Sequence, residues 1–239
     1  MSHVFDKNSL LWLTLLVYCY QYKSGYISLC YTLVVKLSSY WTTMAKIAPN
    51  PAKALLRSEI AARIAALTTE EKKRQSQIVF DKVINHPFYK FANRIALYMS
   101  TDQEIDTAPI IRHIKARGAA AFVPQYAGGR MRMLRLEAED EKNMSITKHG
   151  IAQHGKDQAR EDALETGGLD LVIAPGVAFS NNGDRCGHGG GYYDKFIEHL
   201  RSKSPESKIV AIAFSCQVVD EVPTNEQDQK VDALIYANE

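Results

Sequence analysis

The feature that most constrains the fold is a series of short, nearly continuous apolar runs that alternate with helix-forming segments. Two of these runs, residues 169–174 (LDLVIA) and 208–214 (KIVAIAF), have the length of a strand. A strand can be apolar on both of its faces only where helices cover both sides of the sheet, which is typical of parallel sheets. The sequence therefore predicts an α/β fold with a mainly parallel central sheet and helices on both faces.

Helix signals come before the first predicted strand. Residues 53–67 are rich in Ala, Leu, Arg and Glu, which are good helix formers. Thr68 and Glu71 form a capping box that begins a second helix. This helix is predicted to run to about Asn85, because Pro87 cannot continue it.

The remaining elements are predicted from turn residues and short apolar runs. Asp106 or Thr107 caps a helix that has Pro109 in its first turn, and Gly118 ends it. Residues 137–168 are polar and without periodicity, so we expect a long surface loop there. The further predicted elements are strands at residues 94–99, 119–123, 131–136 and 231–236 and a helix at residues 192–201.

The composition changes near Met44, which predicts two regions. Residues 1–44 are predicted to be an extension outside the fold, and residues 45–239 to be a single α/β domain. The extension contains two apolar runs, residues 10–20 and 27–35, each shorter than the ~20 residues that span a bilayer. No stable membrane insertion is therefore expected. Two interpretations remain open: a segment translated from upstream of a start at Met44, and a targeting or membrane-associated leader.

The net charge and the cysteines indicate which partners and which cellular compartment to expect. The chain has 29 basic and 27 acidic residues, so it lacks the broad basic surface of a nucleic-acid-binding protein. Its four cysteines show no C-x-x-C spacing, which indicates reduced thiols. We expect a cytoplasmic monomer that binds small molecules. Residues 1–44 leave a mitochondrial or membrane-associated form open.

The clearest candidate site is a glycine-rich segment that follows the strand predicted at residues 169–174. It reads Arg185-Cys186-Gly187-His188-Gly189-Gly190-Gly191-Tyr192-Tyr193-Asp194 and leads into a helix. Backbone N–H groups at the start of a helix lie at the positive end of its dipole and bind phosphate. The segment has no G-K-[ST] and is not a Walker A loop, and Tyr192 interrupts the G-x-G-x-x-G spacing. It predicts a phosphate loop, with an ordinary flexible loop as the alternative.

Asp194 lies in the first turn of that helix and has two interpretations. An acidic residue there complements the helix dipole. Next to a bound triphosphate it could instead hold Mg²⁺, which takes one or two carboxylates together with phosphate oxygens. Asp228 and Asp232, near the end of the chain, are candidate second ligands.

Together these segments resemble the signature of the 5-formyltetrahydrofolate cyclo-ligase family, also called methenyltetrahydrofolate synthetases. The main match combines residues 175–179 with the glycine-rich segment up to Asp194. Three further matches occur in the family's order, at residues 53–57, 98–106 and 222–232. The resemblance covers roughly residues 50–237 and leaves the first ~45 residues outside.

The resemblance implies a ligase that forms a C–N bond and depends on ATP and Mg²⁺. The implied reaction converts 5-formyltetrahydrofolate to 5,10-methenyltetrahydrofolate and releases ADP and phosphate. The formyl oxygen attacks the γ-phosphate to give an iminophosphate, and N10 of the folate then adds to the activated carbon. Because no covalent enzyme nucleophile is needed, positioning and charge neutralisation should supply most of the catalysis.

The resemblance also implies roles for individual residues. The residues implied to bind ATP are Lys53, Arg57, Arg185, Gly187, His188, Gly189, Gly190, Gly191, Tyr192 and Tyr193. Those implied to bind the folate are Met99, Glu104, His188, Gly189, Gly190, Gly191 and Tyr192. Arg185 and Tyr192 are implied to be catalytic, and Asp194 and Asp228 to hold the metal.

Other interpretations remain open at this point. The chain could bind folate or nucleotide without turnover, or be another enzyme on a similar scaffold, such as a sugar-phosphate isomerase. The acidic residues at 194 and 228 favour a working metal site over a binding module. Without the family, Lys53 and Arg57 would be read as a solvated helix face and Met99 as ordinary core. His188 and Gly190 stand where several family members carry Arg or Lys, which bears on the strength of nucleotide binding.

Overall fold

A computed structural model describes residues 50–147 and 150–238, and the extension predicted for residues 1–44 lies outside them. Pro51–Glu239 forms one compact unit. The described α-helices are α1 (Pro51–Ala65), α2 (Thr69–Asn85), α3 (Pro87–Phe91), α4 (Ala108–Ala116), α5 (Asp140–Asn143) and α6 (Tyr192–Lys203). The described strands are β1 (Arg94–Leu97), β2 (Ala120–Ala127), β3 (Arg130–Arg135), β4 (Ser145–Ile146), β5 (Ala152–Gln153), β6 (Leu171–Ala174), β7 (Ala178–Ser180), β8 (Arg185–Cys186), β9 (Lys208–Ala213), β10 (Val218–Val219) and β11 (Ala233–Tyr236).

The central sheet has six strands in the order β11-β9-β6-β1-β2-β3. All neighbouring strands are parallel except β2 and β3, which pair antiparallel at one edge. The prediction of a mainly parallel sheet is confirmed. A smaller sheet has the order β10-β7-β8, and the glycine-rich segment begins in its strand β8.

Two apolar clusters lie on the two faces of the sheet. Ile95 and Leu97 of β1 belong to one cluster, which also contains apolar side chains of α1, α2, α3 and α4. Ala96, between them in sequence, belongs to the other cluster, with Phe196 and Ile197 of α6. Because successive strand residues point to opposite faces, strands covered on both sides are apolar throughout. This explains the continuous apolar runs of the sequence.

Helix starts follow the polar residues that the sequence indicated. The Thr68 hydroxyl accepts a hydrogen bond from the backbone N–H of Glu71 at 3.1 Å, which caps α2. At α4 the Asp106 carboxylate accepts from the N–H of Ala108 at 2.9 Å. The Thr107 hydroxyl instead donates to the carbonyl of Tyr98 at 2.9 Å, so it ties this helix to the end of β1.

Two expectations about irregular structure need correction. Residues 137–168 are not a simple surface loop, because they contain α5 and an antiparallel pair formed by β4 and β5. Asp140 and His154 of this segment are buried, and the burial of Asp140 is possible because its carboxylate is paired with Arg160. Strand β2 also runs to Ala127, four residues beyond the predicted end at Val123, because β3 pairs with it along its whole second half.

The order of strands reverses next to β1. The chain passes from β1 to β2 on one side and later enters β6 on the other side of β1. In open parallel sheets, ligands bind outside the carboxyl ends of the strands at such a switch point. The residues after β1 and β6 are therefore the expected site. Within the described ranges, no helix is long and apolar enough to span a membrane.

Candidate active site

Helix α1 carries two cations on the side that faces the glycine-rich segment. Lys53 is only 6% exposed and forms an ion pair with Asp228. One helical turn later, Arg57 donates from Nε to the carbonyl oxygen of Gly187 at 2.7 Å. Residues four apart share a helix face, and Ile60 on the same face is fully buried. The alternative of a solvated helix face is wrong for these two residues.

The glycine-rich segment runs from β8 to the start of α6. Gly189 and Gly191 have φ angles of +101° and +64°, which residues other than glycine rarely adopt. Gly191 is the N-cap of α6, a helix of 12 residues. His188 and Gly190 are exposed. The segment thus presents an accessible backbone at the positive end of a helix, as a phosphate loop requires.

Arg185 lies inside the protein, unlike the exposed residues that follow it. Its side chain donates from Nη2 to Oδ1 of Asp194 at 2.6 Å and from Nη1 to the carbonyl of Pro175 at 3.3 Å. The residue is 3% exposed, and the guanidinium lies 5.8 Å from the centre of the Tyr193 ring. The sequence predicted that Arg185 belongs to the phosphate site. In the structure the charge of Arg185 lies beneath the loop.

The two predicted metal ligands belong to neighbouring parts of the site. Oδ1 of Asp194 accepts a second hydrogen bond, from the backbone N–H of Gln229 at 3.1 Å, which is one residue after Asp228. Oδ2 of Asp228 accepts from Lys53 and from the N–H of Asn225 at 2.6 Å. This approach requires β9 to lie beside β6, and the two strands do pair in parallel.

Asp232, the other candidate second ligand, lies elsewhere. Its Oδ2 accepts from the backbone N–H of Ile209 at 2.7 Å, at the beginning of β9. Its Oδ1 is 3.8 Å from Nη2 of Arg201. The glycine-rich segment follows the carboxyl end of β6. Because β9 is parallel to β6, the beginning of β9 lies at the opposite, amino ends of these strands. Asp232 therefore belongs to the fold and not to this site.

The predicted folate residues follow β1 at the switch point. Oε2 of Glu104 accepts hydrogen bonds from the N–H and the hydroxyl of Thr101, each at 3.0 Å. Both residues are half-buried. Met99 is also half-buried and packs against the core cluster that contains Leu97, which agrees with its ordinary-core alternative as well.

A group of tyrosines connects Glu104 to the glycine-rich segment. The rings of Tyr126 and Tyr192 are 5.1 Å apart and nearly perpendicular, and Tyr192 is 37% exposed. Burial, and then the negative charge of Glu104, raise the pKa of Tyr126 to about 12. Burial raises the pKa of Tyr193 well above its usual value, with smaller contributions from Tyr126 and Glu104. These phenols therefore stay neutral and can act only as hydrogen-bonding groups.

Tyr126 was missed by sequence reasoning, and so was the residue that supports it. The Oε1 atom of Gln153 accepts from the backbone N–H of Tyr126 at 3.1 Å, and Gln153 is buried. A prediction of β2 at its full length would have placed Tyr126 beside the end of β1. The apolar run that predicts this strand stops at Val123, however. The signal was therefore hidden by the polar second half of the strand.

The site offers carboxylates and cations but no activated nucleophile. Burial raises the pKa of the Cys186 thiol, so this cysteine is not a thiolate at neutral pH. In the part of the chain that the structure describes, no three His, Cys, Asp or Glu residues form a metal-binding cluster. Two carboxylates, with further oxygens supplied by a phosphate and water, suit Mg²⁺ rather than a structural metal.

Comparison with known proteins identifies the family. The family model for the 5-formyltetrahydrofolate cyclo-ligase family matches residues 49–237. The chain belongs to this family. Mouse 5-formyltetrahydrofolate cyclo-ligase is 38% identical over 197 residues, which are 81% of this chain and 97% of the mouse protein. The probable cyclo-ligase of Caenorhabditis elegans is 35% identical over 192 residues, 78% of this chain and 93% of that protein. The resemblance found in the sequence is confirmed, and the family is one of ligases.

Solved structures agree with the fold. The NMR structure of Aquifex aeolicus 5,10-methenyltetrahydrofolate synthetase has a TM-score of 0.64 and 26% identity, and the match covers 77% of this chain and 88% of that one. A 5,10-methenyltetrahydrofolate synthetase from Mycoplasma pneumoniae has a TM-score of 0.60 and 21% identity over 77% of this chain and 98% of that one. The second similarity supports the fold alone.

Proposed function

We propose that the protein catalyses the ATP- and Mg²⁺-dependent ring closure of 5-formyltetrahydrofolate to 5,10-methenyltetrahydrofolate, with release of ADP and phosphate. The observation that carries this proposal is the family match, which extends over nearly all of the described residues. The site geometry supports it, because cations, carboxylates and a glycine-rich helix start converge near the switch point of the sheet.

The phosphates of ATP are proposed to bind between α1 and the glycine-rich segment. Lys53 and Arg57 supply positive charge from α1, and the backbone of residues 187–193 supplies N–H donors at the start of α6. Arg57 already contacts the carbonyl of Gly187, so a phosphate on this loop lies within reach of its remaining guanidinium donors. Because positions 188 and 190 are His and Gly and not Lys or Arg, these two α1 cations are the main source of positive charge for the phosphates.

Mg²⁺ is proposed to be held by Asp194 and Asp228, and the donor set fits this ion. Each carboxylate uses one oxygen for hydrogen bonds, Oδ1 in Asp194 and Oδ2 in Asp228. The second oxygen of each has no hydrogen bond from the described residues and is a hard ligand of the kind that Mg²⁺ prefers. When bound, the ion would neutralise negative charge on the phosphate oxygens.

The folate is proposed to lie against Met99, Glu104 and the exposed residues of the loop, from His188 to Tyr192. Tyr192 is exposed and packs against Tyr126, so its ring can cover a planar ring system bound between the loop and the end of β1. Glu104 can accept hydrogen bonds from N–H groups of such a ring system with the carboxylate oxygen that Thr101 does not use.

The reaction follows from bringing the two substrates together at this loop. The formyl oxygen bonds to the γ-phosphorus and the bond to ADP breaks, which leaves a phosphorylated formyl group, an iminophosphate. N10 of the folate then adds to the formyl carbon and loses its proton, and the C–O bond breaks to release phosphate, which takes up this proton. Lys53, Arg57 and the loop N–H groups offset the charge that develops on the phosphoryl oxygens. Tyr192 is proposed to contact the reacting groups from the surface of the loop, and Arg185 to act from beneath the loop.

The location and assembly of the protein are also proposals. We propose that it works in the cytoplasm as a monomer, since all of the proposed site residues come from one compact unit of one chain. A relative from Arabidopsis thaliana, 28% identical over 204 residues, carries the name of a mitochondrial cyclo-ligase.

An absorbance assay for the methenyl product tests the proposal. Purified protein is mixed with 5-formyltetrahydrofolate and Mg²⁺, with and without ATP, and ADP release is followed in parallel. We expect product only with ATP, and one ADP for each methenyl group formed. Substrate binding without product in the presence of ATP would contradict the proposal and favour a binding module.

A matched pair of variants separates the site from general damage. Asp194→Asn changes the proposed metal ligand, whereas Glu198→Gln changes an exposed acid one turn later on α6. We expect loss of turnover in the first variant and ordinary turnover in the second. Equal turnover in both would remove Asp194 from the site.

A further inference from the structure

We propose that Arg185 is a positioning residue, which holds the carboxylate of Asp194 in place from beneath the glycine-rich loop and does not contact the phosphates of ATP. This inference rests on the proposed function, because it takes Asp194 as a ligand of Mg²⁺. It assigns to Arg185 a role that differs from that of the cations on α1.

The surroundings of Arg185 exclude it from the surface of the loop. Its side chain is 2% exposed, and the Nε atom is buried and makes no hydrogen bond to any described residue. The two Nη atoms donate to Asp194 and to the carbonyl of Pro175. The guanidinium therefore does not lie on the exposed surface of the loop, where His188 and Gly190 are accessible.

Gly187 shows that the loop is packed directly on this arginine. A Cβ atom at Gly187 would be 3.0 Å from Nη1 of Arg185, which is closer than ordinary van der Waals contact. The carbonyl of Gly187 meanwhile accepts from Nε of Arg57. The loop thus lies between two arginines, with the half-buried Arg57 on one side and the buried Arg185 on the other.

The contact with Asp194 is directional. Nη2 of Arg185 and the N–H of Gln229 both donate to Oδ1, at 2.6 and 3.1 Å. Oδ2 has no hydrogen bond from the described residues. Fixing one oxygen of a carboxylate in this way orients the other, and the loss of such a partner typically lowers metal affinity or activity by ~10–100-fold. The second oxygen is the one that the proposed Mg²⁺ would use.

A double-mutant cycle on turnover is the first test. We expect Asp194→Asn to lower kcat by ~10²–10³ and Arg185→Gln to lower it by ~10–100-fold. The double variant should be no slower than Asp194→Asn alone, because Arg185 acts only through that carboxylate. Arg57→Gln provides the contrast, since its effect should multiply with that of Asp194→Asn.

Equilibrium binding of ATP without folate is the second test, and it does not depend on turnover. With Mg²⁺ present, Arg185→Gln should weaken ATP binding by ~10-fold or more. With EDTA in place of Mg²⁺, its ATP affinity should match that of the unchanged protein. Arg57→Gln should weaken ATP binding in both conditions. Arg185→Lys should not restore the Mg²⁺-dependent binding, since an ammonium cannot reproduce the planar two-sided contact of the guanidinium.

The outcomes separate this inference from the proposed function. Normal turnover of Asp194→Asn would overturn the metal site, and this inference with it. If Asp194→Asn is impaired and the effect of Arg185→Gln multiplies with it, Arg185 contacts the substrate and only this inference fails. Weaker ATP binding of Arg185→Gln in EDTA would overturn it as well. Arg185→Lys serves as the folded comparison if Arg185→Gln proves too unstable to purify, because the same Mg²⁺-dependent loss is expected of it.

Discussion

Two regions of the molecule contain the same kind of ion pair. Beneath the glycine-rich loop, Arg185 donates to Asp194 at 2.6 Å. Between β3 and β6, Arg160 donates to Asp140 at 2.5 Å. Each carboxylate also accepts one backbone N–H, from Gln229 in the first pair and from Glu137 in the second. By type and distance alone the two pairs would be judged equivalent.

The pairs differ in how the carboxylate oxygens are used. Oδ1 of Asp140 accepts from Nη2 of Arg160 and from Gln158, and Oδ2 accepts from Nε of Arg160 and from the Glu137 N–H. Both oxygens are therefore satisfied, and Asp140 is 4% exposed. In Asp194 a single oxygen accepts both hydrogen bonds, and the second has no donor among the described residues.

This difference separates a structural pair from a functional one. A fully satisfied carboxylate has no capacity left for a ligand, so the Arg160–Asp140 pair serves to connect two parts of the segment 137–168 to each other. A carboxylate that is fixed at one oxygen and open at the other is suited to bind a cation there.

The largest expected effect is that of Asp194→Asn on turnover. We expect kcat to fall by ~10²–10³, because uncompensated charge on the transferring phosphoryl group raises the barrier. Asp140→Asn should leave kcat of the folded protein within about twofold of the original, since this carboxylate has no oxygen to offer a substrate. Initial rates on protein whose folded fraction is measured by circular dichroism check both. A comparable loss of kcat in the two variants would erase the distinction.

Much of the functional region could be predicted because its signals are local. Four glycines in five positions, followed at once by a helix, predict a phosphate loop from neighbouring residues alone. The continuous apolar runs likewise required helices on both faces of the sheet. The roles of Met99 and Glu104 came from the family resemblance, and the structure then placed both at the switch point.

Other features depend on contacts between distant residues and could not be predicted. Asp140 and Arg160 are 20 residues apart in a polar segment, so their composition indicates a solvated loop, although their pairing allows burial. The inward direction of Arg185 depends on the pairing of β7 with β8 and on the space beneath Gly187. Neither condition is visible in the sequence.

The second prediction concerns stability. We expect Asp140→Asn to lower the free energy of unfolding by about 2–3 kcal/mol, somewhat below the range for breaking a buried pair, because Arg160 is partly exposed. Asp194→Asn should lower it by about the same amount, because this change leaves the buried guanidinium of Arg185 without a charged partner. Urea unfolding followed by circular dichroism measures both. A stability loss in only one of the two variants would contradict this expectation and show that the other ion pair does not stabilise the fold.

The third prediction concerns acid. The guanidinium of Arg160 and the other hydrogen bonds lower the pKa of Asp140 from its usual 3.8 to about 2. A lowered pKa stabilises the folded state above pH ~4, and this contribution of about 2 kcal/mol is lost as the pH falls through the range from ~4 to ~2. The difference in unfolding free energy between the original protein and Asp140→Asn should therefore shrink by about half at pH ~3.

When the unfolding free energy of Asp140→Asn is subtracted from that of the original protein, the contribution of the other titrating carboxylates cancels. Glu161 also has its pKa lowered to about 2, chiefly by Arg135, and it contributes equally to both proteins. Unfolding curves at several pH values down to ~3 provide the measurement. A difference between the proteins that stays constant with pH would show that Asp140 is not held as a carboxylate by Arg160.

The smallest expected effect concerns Glu104, which uses its oxygens as Asp194 does. Thr101 donates twice to Oε2, and Oε1 has no hydrogen bond from the described residues. We expect Glu104→Gln to raise the KM for 5-formyltetrahydrofolate about tenfold, since a hydrogen bond to a charged group is lost. The KM for ATP should be unchanged, because this residue follows β1 and not the phosphate loop. Asp102→Asn, at an exposed position of the same loop, is the matched control.

A spectroscopic measurement tests the position of Glu104 without any substrate. Its negative charge is one of the causes, after burial, that raise the pKa of Tyr126 to about 12. Glu104→Gln removes this charge, so the ultraviolet titration should shift the Tyr126 phenol to lower pH, together with Tyr98 and Tyr193, whose pKa values the same charge raises. Asp102→Asn should leave the titration unchanged. If the phenols shift but the KM for the folate does not, Glu104 lies beside the tyrosines without binding substrate, and an unused carboxylate oxygen would then not suffice to identify a functional residue.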